Sequence, residues 1–271
     1  LAAAGGDLAA MLDEQAGPSF RAVPLPLAAT MEVRTEVRRY TTNNVVGRIR
    51  GSGGGSESVL LLAHWDHLGL CEPEGRRDRI CNGAVDNASG IAVLIEAAGR
   101  LAAGQRPQRD LLLLATSAEE AGLLGARYFA ARPAVPLASI VAAVNMDTVA
   151  VQPAGRPVAV VGRGIAPLEA AIAAAALEMG RTIDASFLAD AFLRRQDGWA
   201  LARAGVPAVM VGGAFADMTA LRAFLAGRYH GPEDELDASV PLDGAAEDAN
   251  LIVALARRLA DPALYQPPGT P

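Results

Sequence analysis

Residues 59–69, VLLLAHWDHLG, begin as an unbroken apolar run and end in a cluster of two histidines and an aspartate. The apolar run at 59–63 is too short for a typical helix. It favours a strand buried on both faces, as in parallel sheets. In open α/β sheets, ligands bind beyond the carboxyl ends of the strands. The end of this strand is therefore a candidate functional site, and His64, Asp66 and His67 lie there.

The composition is that of a compact, acidic, globular protein. Its 271 residues are 51% hydrophobic and carry a formal net charge of −6, which suits one large α/β domain or two small ones. No basic run and no apolar stretch long enough to span a bilayer is present, so nucleic acid and membranes are poor candidate partners. All 24 residues of the lysine and arginine class are arginine. This excludes a catalytic lysine and Schiff-base chemistry.

The N-terminal region and the two cysteines bear on where the protein works. Residues 1–30 are rich in alanine, glycine and proline, and we expect a connecting segment there. The chain begins at Leu1 without an initiator methionine or a signal sequence, so we expect that a preceding segment was removed. Cys71 and Cys81 suit neither a redox CxxC pair nor a zinc site. We expect a disulfide, and the alternative is two thiols in a cytosolic enzyme.

Strand and helix patterns alternate along the chain. Apolar runs at 110–116 and 140–146 resemble the first strand, and helical patterns occupy 91–103, 123–131, 167–180 and 244–259. This alternation predicts an α/β fold, a three-layer α/β/α sandwich with a mixed, largely parallel central sheet. The patterns at 31–40 and 44–49 predict edge strands. Ser89 is the predicted N-cap of the first long helix.

Side chains suited to chemistry lie at the ends of these core elements. They are His64, Asp86, Glu119, Glu120, Asp147 and His230. Two histidines and several carboxylates form a nitrogen and oxygen ligand set that suits zinc. One ion would leave some of these ligands unused, whereas two ions that share a carboxylate would use all of them, as in dinuclear hydrolases. On its own, the Glu119-Glu120 pair would rather indicate an acidic helix start that faces the solvent.

Five motifs in a fixed order give the chain a family resemblance. They are AHWDHLG at 63–69, NGAVDNASG at 82–90, SAEEAGLLG at 117–125, NMD at 145–147 and YHGPEDEL at 229–236. The chain resembles the co-catalytic di-zinc peptidases that include bacterial leucyl aminopeptidases and glutamate carboxypeptidase. The resemblance covers nearly all of 31–260, and it implies that residues 31–271 are the catalytic domain.

The resemblance implies a ligand set for two zinc ions. Asp86 would bridge the two ions. His64 and Asp147 would complete one site, and Glu120 and His230 would complete the other.

Three further residues would act beside the metals. Glu119 would be the general base that takes a proton from the metal-bound water and delivers it to the leaving amine. Asp66 resembles the carboxylate that orients the histidine ligand. Tyr229 would donate a hydrogen bond to the tetrahedral oxyanion, and the alternative is that it only packs in the core. His67 has no assigned role. At 195–198 the family often has Arg-Ser-Asp-His where this chain has Arg-Gln-Asp-Gly, so a substrate role for this segment does not carry over.

We therefore expect a metal-dependent exopeptidase, an aminopeptidase, that hydrolyses the N-terminal peptide bond by attack of a hydroxide bridging two zinc ions. One alternative is a carboxypeptidase, for which Arg194 or Arg195 would bind the terminal carboxylate. A glutaminyl cyclase would use a single zinc, and the retained His64 argues against it. A non-catalytic binding module, as in transferrin receptor relatives, would lack ligands, and none is missing.

The same resemblance bears on partners and location. It implies a peptide substrate and a protease-associated accessory domain that is absent from this chain, and residues 1–30 would be the remnant of the junction with that domain. We expect no nucleic-acid or membrane partner. The predicted disulfide favours an extracytoplasmic location, periplasmic or secreted, in a bacterium.

Overall fold

A computed structural model of the chain describes residues 7, 9–11, 21, 24, 28, 30–37, 39–71, 75 and 77–269. The chain divides into two units, residues 1–41 and 42–271. In the first unit, residues 9–11 are helical, and the described residues of 31–40 have no regular secondary structure. The strand predicted at 31–40 is therefore wrong. Most of the connecting segment predicted at 1–30 lies outside the described residues.

The second unit is built on strand β2, Ser58–His64, in which every residue is buried. The other strands are β1 Val45–Ile49, β3 Gly69–Leu70, β4 Ile80–Cys81, β5 Asp110–Thr116, β6 Ile140–Asn145, β7 Ala159–Val161 and β8 Ala208–Gly212. In the part of the chain that the structure describes, six strands form one sheet in the order β1-β5-β2-β6-β8-β7. Strands β5, β2, β6 and β8 are parallel neighbours, whereas the outer strands β1 and β7 are antiparallel. The sheet is mixed and largely parallel, as predicted.

The register of the sheet places the ends of three strands together. His64 lies opposite Thr116 of β5, and Leu62 lies opposite Asn145 of β6. Residues that follow β5 and β6 therefore leave the sheet on either side of His64.

Helices cover both faces of the sheet. They are α1 Ser89–Ala103, α2 Leu124–Ala131, α3 Ala166–Glu178, α4 Gly198–Arg203, α5 Met218–Gly227 and α6 Leu242–Leu259. Along β2, Val59 and Leu61 belong to a buried cluster with residues of α1, α3 and α6. Leu60 and Leu62 belong to a second buried cluster with residues of α2 and α4. The alternation of faces confirms the predicted three-layer α/β/α sandwich.

The structure tests two local predictions, the disulfide and the N-cap of the first long helix. Cys71 and Cys81 form a disulfide, with their Cα atoms 5.8 Å apart, across the hairpin of β3 and β4. This confirms the predicted pairing. Ser89 does not cap α1, because it is the first residue of the helix and its hydroxyl donates to the carbonyl oxygen of Val85 at 2.6 Å. Among the described residues, no helix combines the length and apolar character needed to cross a bilayer.

Candidate metal centre

The candidate ligands meet at the carboxyl edge of the sheet. His64 ends β2, Glu119 and Glu120 follow β5, and Asp147 follows β6. Because β5, β2 and β6 are parallel neighbours, these residues leave the sheet side by side, where open α/β sheets bind their ligands. Asp86 reaches the same place from the loop before α1.

A first group of possible metal ligands consists of His64, Asp86 and Asp147, all of them buried. His64 Nε2 lies 3.1 Å from Asp86 Oδ1 and 3.7 Å from Asp147 Oδ1. Burial lowers the pKa of His64, but the carboxylates around it, that of Asp147 above all, outweigh this effect and raise the pKa. The group is therefore rich in negative charge and attracts cations.

A second group shares Asp86 with the first. His230 Nε2 lies 3.4 Å from Asp86 Oδ2 and 3.0 Å from Glu120 Oε2. The two oxygens of Asp86 thus face different histidines, an arrangement that suits a carboxylate between two ions. His67 lies in the same group. Its Nδ1 is 2.7 Å from Glu120 Oε1, and His67, Asp86 and Glu120 together offer ligand atoms that could hold one ion.

The donor atoms of this second group fit a metal ion better than they fit one another. His67 Nδ1, Glu120 Oε1 and His230 Nε2 are buried and lack a hydrogen-bond partner among the described residues. Buried polar atoms are nearly always hydrogen-bonded, so nitrogen and oxygen atoms that lie close together without hydrogen-bond geometry are suited to a shared cation. Histidine nitrogens with carboxylate oxygens are the donor set that zinc accepts.

Glu119 lies beside the two groups and belongs to neither. Burial, reinforced by the carboxylate of Asp147, raises the pKa of Glu119 to about 9. Cations bound nearby would lower this pKa by favouring the charged form. The carboxyl group can therefore hold or release a proton according to the charge bound beside it.

Asp66 links the glutamate pair to the histidine. Its carboxylate accepts the backbone N–H groups of Glu119 and Glu120 at 3.1 and 3.4 Å. His64 Nδ1 lies 3.1 Å from the backbone carbonyl oxygen of Asp66 and 3.7 Å from its carboxylate. The carbonyl is thus the closer acceptor for the imidazole N–H, and the carboxylate also holds the turn that carries both glutamates.

Tyr229 lies against the second group. Its ring stacks on that of His230 with the centroids 3.7 Å apart, and Arg195 Nη2 donates to its hydroxyl at 3.3 Å. Burial, together with the carboxylate of Asp86, raises the pKa of Tyr229, so the phenol remains a hydrogen-bond donor. A pocket opens beside it, and its apolar wall consists of Phe192, Met210, Phe215, Leu221 and Leu225.

The segment that departs from the family pattern adjoins this pocket. The side-chain oxygen of Gln196 accepts hydrogen bonds from Asn145 Nδ2 at 3.0 Å and from the backbone N–H of Gly198 at 2.7 Å. A Cβ atom at Gly198 would lie 2.6 Å from that oxygen. The two departures are therefore in contact, and a side chain at position 198 would have to displace the amide group of Gln196. Asp197 is buried, accepts a hydrogen bond from Thr116, and has its pKa raised to about 6 by burial.

Asp234 fixes the loop that carries Asp86, although it is not among the predicted site residues. Asp234 is fully buried. It accepts the backbone N–H of Val85 at 3.0 and 3.2 Å and that of Asp86 at 3.0 Å. Its neighbours Glu233 and Glu235 are also acidic, so the residue types give no signal for which of the three is buried.

Asn87 joins the loop before α1 to the loop after β6. Its Oδ1 accepts the backbone N–H groups of Gly90 at 2.9 Å and Thr148 at 3.2 Å, and its Nδ2 donates to the carbonyl oxygen of Met146 at 3.0 Å. A Cβ atom at Gly90 would lie 2.4 Å from that carbonyl oxygen. The glycine of the NGAVDNASG motif therefore allows the two ligand-bearing loops to approach.

The chain matches a known protein family and is similar to several known proteins. The profile of peptidase family M28 matches residues 44–256. The chain is 35% identical over 144 residues to a probable glutamate carboxypeptidase of Arabidopsis thaliana, a match that covers 51% of this chain and 19% of the relative. Among solved structures, the aminopeptidase from Aneurinibacillus sp. strain AM-1 is similar with a TM-score of 0.60 and 20% identity, over 83% of this chain and 48% of its own.

A second solved structure, glutaminyl cyclase from Porphyromonas gingivalis, is similar with a TM-score of 0.60 and 18% identity, over 78% of this chain and 76% of its own. At these identities the two structures share the fold with this chain. The chain spans about a fifth of the length of the plant relative and about half of that of the aminopeptidase.

Proposed function

Because this chain belongs to peptidase family M28, the family that its five motifs predict, we propose that it is a zinc-dependent exopeptidase, specifically an aminopeptidase. The observation that carries the proposal is the pair of ligand groups that share Asp86. The two groups support a centre for two ions. Glu119, which lies outside both groups, supplies a group that can exchange a proton.

The protein's own residues divide the work around the ions. Bound divalent cations would acidify a water molecule and polarise the scissile carbonyl. Glu119 would accept a proton from this water and pass it to the leaving amine. Asp66 would hold His64 and the backbone of the two glutamates in place, so that ligand and base keep a fixed spacing.

Tyr229 would stabilise the oxyanion that forms on the substrate carbonyl. Its pKa is raised, so its hydroxyl keeps the proton that it would donate. Arg195 donates to the same hydroxyl at 3.3 Å and so places positive charge beside it. Donors that are already oriented towards developing charge are among the strongest contributions to catalysis.

The acidic lining of the pocket supports an aminopeptidase. Glu119, together with Asp147 of the first ligand group, gives the pocket an acidic lining, which favours an amine over a carboxylate. A carboxypeptidase would need a cation directed at the terminal carboxylate. The observation that favours it as the second candidate is Arg195, which also lines the pocket. Arg194 instead lies over the ring of Trp199, 5.6 Å from its centroid.

Three substrates tested on the zinc-loaded protein separate the candidates. We expect turnover of aminoacyl anilides with apolar side chains and no turnover of N-acetylated dipeptides. Cleavage of the N-acetylated dipeptides alone would reverse the choice. Release of ammonia from an N-terminal glutaminyl peptide would indicate a cyclase. No turnover of any substrate by a protein that carries two zinc ions would support a binding module.

We further propose that the protein acts outside the cytosol of a bacterium, in the periplasm or after secretion. The disulfide between Cys71 and Cys81 supports this location, because disulfides persist in oxidising compartments. Peptides would be its partners, together with a protease-associated domain outside this chain. Immunoblotting of fractionated cells tests the location, and recovery in the cytosolic fraction alone would refute it.

A further inference from the structure

His67 lies within the second ligand group and has no role in the proposed mechanism. Its side chain is 7% exposed, and both ring nitrogens are buried without a hydrogen-bond partner among the described residues. Nδ1 lies 2.7 Å from Glu120 Oε1, yet the two atoms are not aligned as donor and acceptor. Two ligand atoms on one tetrahedral zinc ion lie about 3.3 Å apart, given bonds of about 2.0 Å. The observed contact is shorter than this separation, so it is the missing donor–acceptor geometry, and not the distance, that points to a shared ion.

The ring of His67 has little freedom to turn away from this position. A Cβ atom at Gly83 would lie 2.6 Å from His67 Cγ, so the backbone of the NGAVDNASG motif lies directly against the ring. The ring of His230 meets that of His67 edge to face, with the centroids 5.6 Å apart. A ligand held in place by its neighbours loses less conformational entropy when it binds a metal.

We propose that His67 is itself a metal ligand, through Nδ1, of the ion that Glu120, Asp86 and His230 hold. The inference rests on the proposed di-zinc function and extends it. The second ion then has four protein ligands, whereas the first group supplies three. Structural zinc sites are typically closed by four protein ligands, and catalytic sites keep one position open. The four-ligand site should therefore bind zinc first and more tightly than the three-ligand site.

Because the chain has few histidines, those that bind a metal can be counted directly. The chain contains three, and all of them lie in the two groups. In a Co²⁺-loaded protein, the imidazole N–H proton of each ligand histidine appears far outside the normal range of a ¹H NMR spectrum. We expect three such resonances in the parent protein and two in His67→Phe, which keeps a ring against Gly83. The same number of resonances in the parent protein and in His67→Phe would overturn the inference, and this comparison does not depend on whether the N–H of the more exposed His230 exchanges with water.

Zinc titration by calorimetry tests the same inference through affinity. We expect the parent protein to bind two ions in separable steps. His67→Phe should bind its tighter ion at least about tenfold more weakly, since even changes to groups that only support a ligand cost 10–100-fold. Leu68→Ala is a matched control, because the neighbouring side chain is 39% exposed and should leave both steps unchanged.

The outcomes of this titration distinguish the inference from the proposed function. Two ions bound by His67→Phe with the affinities of the parent protein would overturn the role of His67 and leave the di-zinc function standing. A parent protein that binds a single ion would overturn the dinuclear centre and the inference together.

Discussion

Replacement of Asp234 by alanine tests whether the loop that carries Asp86 is held in place by a carboxylate from another part of the chain. Asp234 is fully buried and accepts the backbone N–H groups of Val85 and Asp86, each at 3.0 Å. Alanine would leave both N–H groups buried without an acceptor, and each such loss costs about 1–3 kcal/mol. We expect the free energy of unfolding to fall by about 2–6 kcal/mol, a large part of the 5–15 kcal/mol of a typical protein.

Asparagine at the same position separates hydrogen bonding from charge. Asp234→Asn keeps one oxygen acceptor, which at the position of Oδ2 still accepts both N–H groups, while its amide group faces the N–H of Val85 that Oδ1 now accepts. We therefore expect about half of the loss caused by alanine, about 1–3 kcal/mol. Asp237→Asn is the matched control. Asp237 lies in the same loop with its side chain 54% exposed, and its partners Ser239 and Arg228 contact it at the surface. It should unfold like the parent protein.

Urea unfolding of the metal-free proteins measures these differences without a contribution from bound zinc. We expect lower midpoints with unchanged slopes for both variants of Asp234. A second titration with zinc should then show weaker binding by Asp234→Asn, because Asp86 is no longer fixed. An Asp234→Ala protein that unfolds at the midpoint of the parent would refute the reasoning, since the loop would not depend on the carboxylate.

Three other experiments test the site and the disulfide. Glu119→Gln should keep both zinc ions and lower kcat by about 10²–10⁴-fold, whereas Glu120→Gln should lose metal and activity together and recover part of both in excess zinc. The reverse pattern would mean that the two roles are exchanged. Elemental analysis should find two ions per chain, and a chelator should abolish hydrolysis while the far-UV circular dichroism spectrum persists. Collapse of that spectrum would contradict the prediction. Denatured, unreduced protein should show no free thiol, and reduction of the pair Cys71 and Cys81 should lower the free energy of unfolding by about 2–3 kcal/mol. Two titrated thiols would contradict it.

The buried strands are the part of the fold that residue types predict best. The run at 110–116, apolar from 111 to 115, predicts β5 to the residue, because a strand buried on both faces has no polar position between its ends. The pattern at 31–40 has the alternation of a half-buried strand, but the described residues there have no regular structure. Alternating apolar and polar residues show that a stretch is able to pack one face against a core. They do not provide the neighbouring strand whose N–H and C=O groups the stretch must pair with.

The candidate site also has residues whose position the sequence predicts and residues whose position it does not. His64 and Asp147 follow neighbouring buried strands, so the parallel topology alone brings them together. Asp234 and His67 depend instead on where loops place particular atoms. Each has a residue of the same chemical class close by in the sequence. The loop path decides which of these residues contacts the backbone donors or the ligand group and is buried there. Motifs therefore predict which types of donor are present, whereas the path of the loops decides how many donor atoms converge on each ion. The motif AHWDHLG alone therefore does not indicate how many histidines bind the second ion. That number depends on where the loops place the ring nitrogens.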